Sequence, residues 1–334
     1  MQSNRKIRIS LPSKGTLGDK AKELLSSVGF RVYSPNPRQY KATIPRFPEM
    51  EVIFQRPGDI VYSVRDGSVD FGITGWDIFN EKKGANGQVL ALHQKLGFGH
   101  CSLNVILPQS WSEIGAVSDL GTMQAELGRP LKIASKFPNL TKQFFDGRDA
   151  LDFELIAAEG ALEIAPTVGY ADLIVDIVST GTTLRDNQLK MLDGGELLRS
   201  QACLIANKAR LKENATVQEI AVQLLEVLSA YLRADEKLAV FANIRGESPE
   251  DIAEKVFSQK VIGGLQGPTI SQVITREREN WYAVHLLVSK STLHEAIKEI
   301  RSVGGSGVVV SDVNYIFEEE PEELKAMFEA LSDE

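Results

Sequence analysis

The chain has 334 residues, of which 43% are hydrophobic and 25% charged, with a formal net charge of −8 at pH 7. That length holds two or three domains with ample cores, and the composition excludes disorder as the default state. The acidic balance excludes a nonspecific grip on nucleic acid or an acidic membrane, so an anionic ligand has to be held by local loops, a few cations or bound Mg²⁺.

At the N-terminus no apolar signal core precedes Ile7, and no later stretch approaches the length that spans a bilayer, which places the expected chain in the cytoplasm. Ile7, Ile9 and Leu11 alternate as a strand, Pro12 to Gly15 form a loop, and Leu17, Ala21, Leu24, Leu25 and Val28 recur at helical spacing. Thr16 and Asp19 form a capping-box-like start, which leaves Lys14 and Gly15 at a helix N-terminus where an anion can sit. An exposed surface lysine is the competing reading of Lys14.

A βαβ pattern follows: a strand at Val52 to Phe54, a short helix at Asp59 to Val64 and a strand at Val69 to Ile73 that ends in Thr74-Gly75. Cys101 and Cys203 lie in apolar segments without CxxC spacing and read as buried free thiols. Strands at Leu103 to Leu107, Lys132 to Ser135 and Phe153 to Ile156, with a helix at Asn139 to Phe145, keep the first two thirds α/β.

The most informative segment is ADLIVDIVSTGTTLRDN, Ala171 to Asn187. Ile174, Val175, Ile177 and Val178 have the composition of a strand covered on both faces. After it, Ser179, Thr180, Gly181, Thr182 and Thr183 can turn backbone N–H groups and hydroxyls toward one point, and a helix from Leu184 to Leu189 can face that point with its positive end. Asp172 and Asp176 carry like charge to a phosphate, so they suit ribose hydroxyls or Mg²⁺ instead. Sugar and phosphate are then read together, against the plainer reading of a glycine-threonine turn. The GxxxxGK[ST] of nucleoside triphosphatases and the GxGxxG of dinucleotide folds are absent.

A long amphipathic helix from Thr216, with Glu219 completing its cap, marks a domain boundary. Beyond it come a strand (Leu238 to Ile244), a helix opened by Ser248 and Pro249, strands at Ile270 to Thr275 and Trp281 to Val288, a helix from Ser291 stopped at Gly304, and a strand at Val308 to Val310. The order βαββαβ spells a ferredoxin-like module, either a small-ligand sensor or a dimerisation domain. The acidic tail from Glu318 reads as a solvated helix end.

With these segments together the chain resembles ATP phosphoribosyltransferase of the long, self-regulated form, the family that opens histidine biosynthesis. The likeness is carried by LPSKGTL (Leu11 to Leu17), RPGDI (Arg56 to Ile60), DFGITG (Asp70 to Gly75), LGFGHCSL (Leu96 to Leu103), KIASKFPNL (Lys132 to Leu140), GALEIAP (Gly160 to Pro166), DLIVDIVSTGTTL (Asp172 to Leu184), SQACLIAN (Ser200 to Asn207) and LQGPTIS (Leu265 to Ser271).

The resemblance implies an α/β fold with a two-lobed, periplasmic-binding-protein-like catalytic core and a C-terminal ferredoxin-like (ACT-like) regulatory domain. Lobe one is expected at residues 1–102 and 203–229, lobe two at 103–202, and the regulatory domain at 230–334. It implies transfer of phosphoribose from phosphoribosyl pyrophosphate to N1 of ATP, with Mg²⁺ as cofactor, histidine as inhibitor, and a homo-oligomer from dimer to hexamer. The donor's phosphate is expected on Ser179, Thr180, Gly181, Thr182 and Thr183, and its ribose on Asp172 and Asp176. Glu163 orients the metal or the ribose, with a helix-surface glutamate as the alternative. Lys14, Gly15, Arg56, Asp70 and Thr74 face ATP and the cleft, and Phe241, Leu265, Thr269 and Ser306 are the expected histidine positions. Two phosphate cations common in the family are missing, at Thr16 and Ser102, and His100 reads as a partly exposed structural histidine. Adenine N1 carries its own lone pair, so no general base is assigned. A noncatalytic two-lobed ligand sensor or regulatory subunit is the competing function.

Overall fold

The computed structural model describes residues 5–36, 39–146, 151–158, 160–263, 267–275 and 280–332. The alternating apolar residues form β1 (Ile7–Pro12), and the helix after the loop is α1 (Gly15–Ser27). Its N-cap is Lys14, whose side chain makes no capping bond, so the expected Thr16 cap is replaced by a start two residues earlier. Asp19 instead pairs with Lys22 at 2.9 Å. A Cβ at Gly18 would run into the Pro12 carbonyl oxygen, and glycine there lets α1 lie close on β1.

Next come β2 (Lys41–Thr43), β3 (Met50–Gln55), α2 (Pro57–Arg65), β4 (Phe71–Gly75), α3 (Trp76–Lys82) and β5 (Val89–His93). The chain then forms β6 (Cys101–Pro108), α4 (Leu120–Leu127), β7 (Leu131–Ser135), α5 (Pro138–Asp146), β8 (Phe153–Ala157), α6 (Ala165–Val168), β9 (Leu173–Val178), α7 (Thr182–Asp186) and β10 (Leu189–Ser200). It returns through β11 (Ala202–Asn207), within the SQACLIAN segment, followed by α8 (Lys208–Glu213) and α9 (Ala215–Asp235). The Asn214 side chain accepts the Val217 N–H at 3.1 Å, so asparagine caps α9 where Thr216 was expected.

Two sheets result. One has the order β2-β3-β1-β4-β11-β5 and the other β10-β6-β9-β7-β8. β1 runs parallel to β3 and β4, while β11 enters antiparallel between β4 and β5, so a strand from late in the chain completes the first sheet. The middle of the second sheet is covered on both faces. Leu173 and Val175 join Leu103, Ile133 and Phe145 on one side, whereas Ile174 joins Ile106, Leu162 and Leu184 on the other. Each such fully buried side chain stabilises the sheet by about 1.5–3 kcal/mol. The expectation of a fully interior strand fails at its exit, where Ile177 is 40% exposed. α7 also starts earlier and ends sooner than expected, because Leu189 already belongs to β10.

Hydrogen bonds tie the two sheets' layers together. Glu81 on α3 accepts N–H bonds from Asn139 and Leu140 at the start of α5, each at 3.0 Å. Ser200, at the end of β10, donates to the Asp77 carboxylate at 2.6 Å and accepts the Asp77 N–H at 2.9 Å.

The C-terminal module contains β12 (Lys237–Arg245), α10 (Pro249–Phe257), β13 (Thr269–Val273), β14 (Trp281–Ser289), α11 (Leu293–Ser302) and β15 (Gly305–Asp312), and α12 (Glu322–Ser332) follows. Ser248 caps α10 by accepting the Asp251 N–H at 3.2 Å, with Pro249 at the first helical position. The antiparallel order β13-β14-β12-β15 is the ferredoxin-like arrangement, with Val240, Ile244, Val284 and Leu286 packed under Ile252 and Ile300. The strand expected from Val308 begins at Gly305, because Ser306 already pairs with Asn243.

By contacts the chain groups into two units, Met1–Val222 with Glu322–Glu334, and Gln223–Pro321. The acidic tail read as a solvated helix end is α12, which buries Leu324 and Met327 and contacts β5 and α8 in the first unit.

Candidate active site

β9 delivers its charge at its carboxyl end. Asp176 lies in the last turn of the strand's pleat before the chain leaves through Val178, and its side chain is 13% exposed. The Ile177 N–H donates to its Oδ1 at 2.8 Å and Lys136 Nζ lies 3.9 Å from Oδ2. Burial pushes the Asp176 carboxyl above the usual range and the Glu163 carboxylate adds to the rise, against the smaller pull of the Ile177 N–H and Lys136.

Asp176 and Glu163 line one small pocket of about 70 Å³ with Ile106, Ile174, Ser179, Thr180, Gly181 and Thr183. Gly181 has φ +71°, a left-handed turn that lets the chain reverse into α7, and Thr180 Oγ1 lies 3.1 Å from Thr182 Oγ1. Glu163 enters from the turn after Ala161, which adopts a left-handed φ of 48° without being glycine. Two acids and a hydroxyl-rich loop on one rim are a donor and acceptor set for a phosphorylated sugar.

Asp172 is not part of that pocket, contrary to the expectation. It precedes β9 at the opposite end, and four residues of strand separate it from Asp176 by roughly 13 Å. Arg129 clamps it with two bonds of 2.7 Å and the Lys132 N–H adds a third at 2.8 Å. Burial alone raises its carboxyl, but the Arg129 and Lys132 interactions outweigh that and hold it below the usual range. Asp172 anchors the strand.

A second cavity, of about 570 Å³, shares Ser179 with the first and lies where β6 and β10 meet β11, lined by Trp76, Gln94, Lys95, His100, Cys101, Ser102, Arg199 and Gln201. Lys95 and Arg199 bring charge to it, and Arg199 also pairs with Glu196 at 2.8 Å. His100 is exposed in the wall of this cavity. Cys101 is only half-buried, which departs from the expected interior thiol, while Cys203 is fully buried. Burial pushes both thiols up, so neither is a poised nucleophile.

In the first sheet, Lys14 and Arg56 come together on a cavity of about 1000 Å³ with Lys22, Ser34, Tyr40 and Phe54. Arg56 caps α2 with Pro57 at its first position, and Thr74 is buried under that turn, donating to the Pro57 carbonyl at 3.0 Å. Thr74 therefore supports the turn and does not face a cleft. Gly15 opens α1 with φ +76°. Asp70, also expected at the cleft, is 0% exposed. It sits before β4 at the other end of the sheet, joined to Arg5 at 2.9 Å, Arg210 at 2.7 Å and the Arg8 N–H at 2.8 Å. A carboxylate so enclosed by guanidinium groups is structural.

In the C-terminal module, Phe241 stacks on His285 with ring centroids 4.2 Å apart, and Thr269 is opposite His285 on the next strand. Ser306 is opposite Asn243, so these three positions share the face of the sheet that α10 and α11 leave open. Leu265 lies outside the described residues. The His285 Nε2 is buried without a hydrogen-bond partner among the described residues.

Lys136, Lys95 and Arg199 were not singled out from sequence. Lys136 directly follows β7, whose carboxyl end adjoins that of the parallel β9, and that position was its available signal. Among the described residues no group of three or more His, Cys, Asp or Glu side chains is arranged to hold a metal.

A family model described as ATP phosphoribosyltransferase matches residues 56–228, and a second, described as the HisG C-terminal domain, matches 234–315. The chain is 41% identical over 321 residues to ATP phosphoribosyltransferase 2, chloroplastic, of Arabidopsis thaliana, covering 94% of this chain and 78% of that one. It is 35% identical over 309 residues to ATP phosphoribosyltransferase of Gemmatimonas aurantiaca, covering 92% and 98%. A solved ATP phosphoribosyl transferase (HisG:HisZ) complex from Thermotoga maritima shares the fold, with TM-score 0.52 and 23% identity over 66% of this chain and 98% of that one.

Proposed function

The chain belongs to the ATP phosphoribosyltransferase family, and on that premise we propose which of its residues carry the transfer. The family's activity is this chain's: a pentosyltransferase that joins a phosphoribosyl group to ATP in the first step of histidine biosynthesis. The two sheets of the first unit form the two lobes, residues 1–102 with 203–229 and residues 103–202, and the regulatory domain lies between residues 230 and 321.

The observation that carries the reading is the convergence of Asp176, Glu163 and the loop residues Ser179, Thr180, Gly181 and Thr183 on one pocket, whose lining leaves out Thr182. The loop holds the 5′-phosphate of phosphoribosyl pyrophosphate with its hydroxyls and backbone donors, and Asp176 accepts from the ribose hydroxyls. The adjoining cavity, with Lys95 and Arg199, takes the diphosphate that leaves. Lys14 and Arg56 serve ATP on the first lobe, where Tyr40 and Phe54 offer apolar faces to a purine.

In the reaction the lone pair of adenine N1 forms a bond to ribose C1 while the bond from C1 to the diphosphate oxygen breaks, and the electron pair leaves on pyrophosphate. Positive charge grows at C1 and negative charge on the diphosphate. Charge stabilisation therefore dominates: the Asp176 carboxylate faces the first and the cations of the adjoining cavity face the second. Two carboxylates beside a polyphosphate suit Mg²⁺, which takes one or two protein oxygens and fills its shell from phosphate and water. Glu163 and Asp176 are the residues that would hold the ion, and its charge would offset the negative charge of the departing diphosphate.

We place histidine inhibition on Phe241, Thr269 and Ser306 of the open sheet face, and assign the enzyme to a homo-oligomer, dimer to hexamer, and to the cytoplasm. Free thiols at Cys101 and Cys203 support a reducing compartment. No helix is long and apolar enough to cross a membrane among the described residues.

Pyrophosphate release with ATP, phosphoribosyl pyrophosphate and Mg²⁺ tests the site. Release that Asp176→Asn slows by about 10²-fold or more while the fold persists is the expected result. Unchanged steady-state rates in that variant remove the assignment.

A further inference from the structure

The chain passes through its C-terminal module and then returns α12 to the first unit, beyond the segments that the two family models match. α12 does more than cover apolar surface there. Leu324 and Met327 are buried, and Glu323 Oε1 stands 3.5 Å from His93 Nε2 on β5, the edge strand of the six-stranded sheet.

His93 is buried, and the desolvation lowers its pKa more than Glu323 raises it, so the ring is neutral at pH 7. Its Nδ1 accepts the Lys95 N–H at 3.3 Å, which puts the ring proton on Nε2, facing the carboxylate. The next residue is fixed as well, since the Leu96 N–H donates to the Ala202 carbonyl at 3.0 Å. Lys95 therefore lines the cavity of about 570 Å³ from a backbone held on both sides, and α12 supplies the carboxylate that orients one of the two anchors.

We propose that Glu323 and His93 are positioning residues for transfer: α12 acts as a strap that, through Glu323 and the His93 ring, sets the Lys95 cation against the leaving diphosphate. The geometry is that of a carboxylate orienting an imidazole that in turn orients a functional group. The inference rests on the reading that the cavity lined by Lys95 and Arg199 takes the diphosphate.

The test uses the full-length enzyme, with pyrophosphate release measured against phosphoribosyl pyrophosphate concentration for Lys95→Met, Glu323→Gln, His93→Leu and His93→Asn. Glu323→Gln is isosteric at a partly exposed position, so it keeps the fold where a deletion of α12 does not. The expected result is a rise in KM of about 10-fold for Lys95→Met and about 3-fold or more for Glu323→Gln and His93→Leu, with kcat falling alongside, because the same cation meets the charge that develops on the leaving diphosphate. His93→Asn, whose amide oxygen can take the Lys95 N–H, recovers most of the wild-type KM. Glu323→Gln adds nothing in the His93→Leu background. A normal KM in Glu323→Gln and His93→Leu beside a raised KM in Lys95→Met overturns the strap and leaves the cavity reading standing. A normal KM in Lys95→Met overturns both. Lowered melting temperature with an unchanged KM reduces α12 to a structural cover and overturns the proposal.

Discussion

The two ends of β9 carry the same side chain in opposite electrostatic settings. At the amino end Asp172 is held by the Arg129 guanidinium and a backbone N–H, and its carboxyl is pulled below the ordinary range. At the carboxyl end Asp176 has a single lysine at 3.9 Å, a second acid in the same pocket and a loop of hydroxyls, and its carboxyl is pushed up by burial. One aspartate is satisfied by the protein and strengthens the fold. The other is left short of partners, and an aspartate of that kind is free to bind a substrate.

Neutralising each carboxylate breaks or sharpens that contrast. The largest effect belongs to Asp176→Asn, which lowers kcat/KM by about 10²-fold or more, because an anion facing a developing cation is lost. The same variant melts no lower than the parent, since it removes a buried charge the fold disfavours; a pyrophosphate-release assay beside a thermal melt reads both. Asp172→Asn does the reverse. Turnover stays within about 3-fold, and stability falls by about 1 kcal/mol in a urea titration, held to that size because the Arg129 side is open to solvent.

Their pH dependence has opposite signs. The Asp172 contribution is present above the ordinary carboxylate pKa and is lost as pH falls through its depressed value. The Asp176 contribution favours the folded state below the ordinary value and is lost as pH rises through its elevated one. Stability curves between pH 3 and 7 for the two variants therefore deviate from the parent in opposite directions, and parallel curves contradict the contrast.

The smallest effects concern the backbone around the catalytic end. Gly181→Ala places a Cβ at φ +71° with open space around it, so the cost is conformational, about 1 kcal/mol, with slower turnover from a displaced loop. Ala161→Gly relaxes a left-handed alanine and shifts the melting temperature upward by an amount worth less than about 1 kcal/mol, with activity unchanged. A marked loss of stability in that variant rejects strain at the turn before Glu163.

Much of this was readable in the chain and some was not. The β-branched run at Ile174, Val175, Ile177 and Val178 announced the strand, and the serine, glycine and threonines after it announced the loop, because both depend on neighbours in sequence. The roles of Asp172 and Asp70 were misread because their partners are remote: Arg129 lies 43 residues from Asp172, and Arg210 lies 140 residues from Asp70. No local pattern tells a carboxylate that meets a guanidinium from one that waits for a ligand. The caps at Lys14 and Asn214 each lie two residues before the expected Thr16 and Thr216, the usual scale of ambiguity at helix starts. α12 was hidden by its glutamates, although Leu324 and Met327, three apart, already marked one buried face.

Because the sheet module is inserted into the first unit, with host segments on either side at Val222 and Glu322, it closes a loop in that unit. A folded insertion keeps the loop short in effect, whereas a melted one turns it into a long flexible chain whose ends the host must still hold in place. Loosening of the inserted sheet thus lowers the host's own stability without any new contact being made or lost, and the two units are joined by polymer entropy as well as by chemistry.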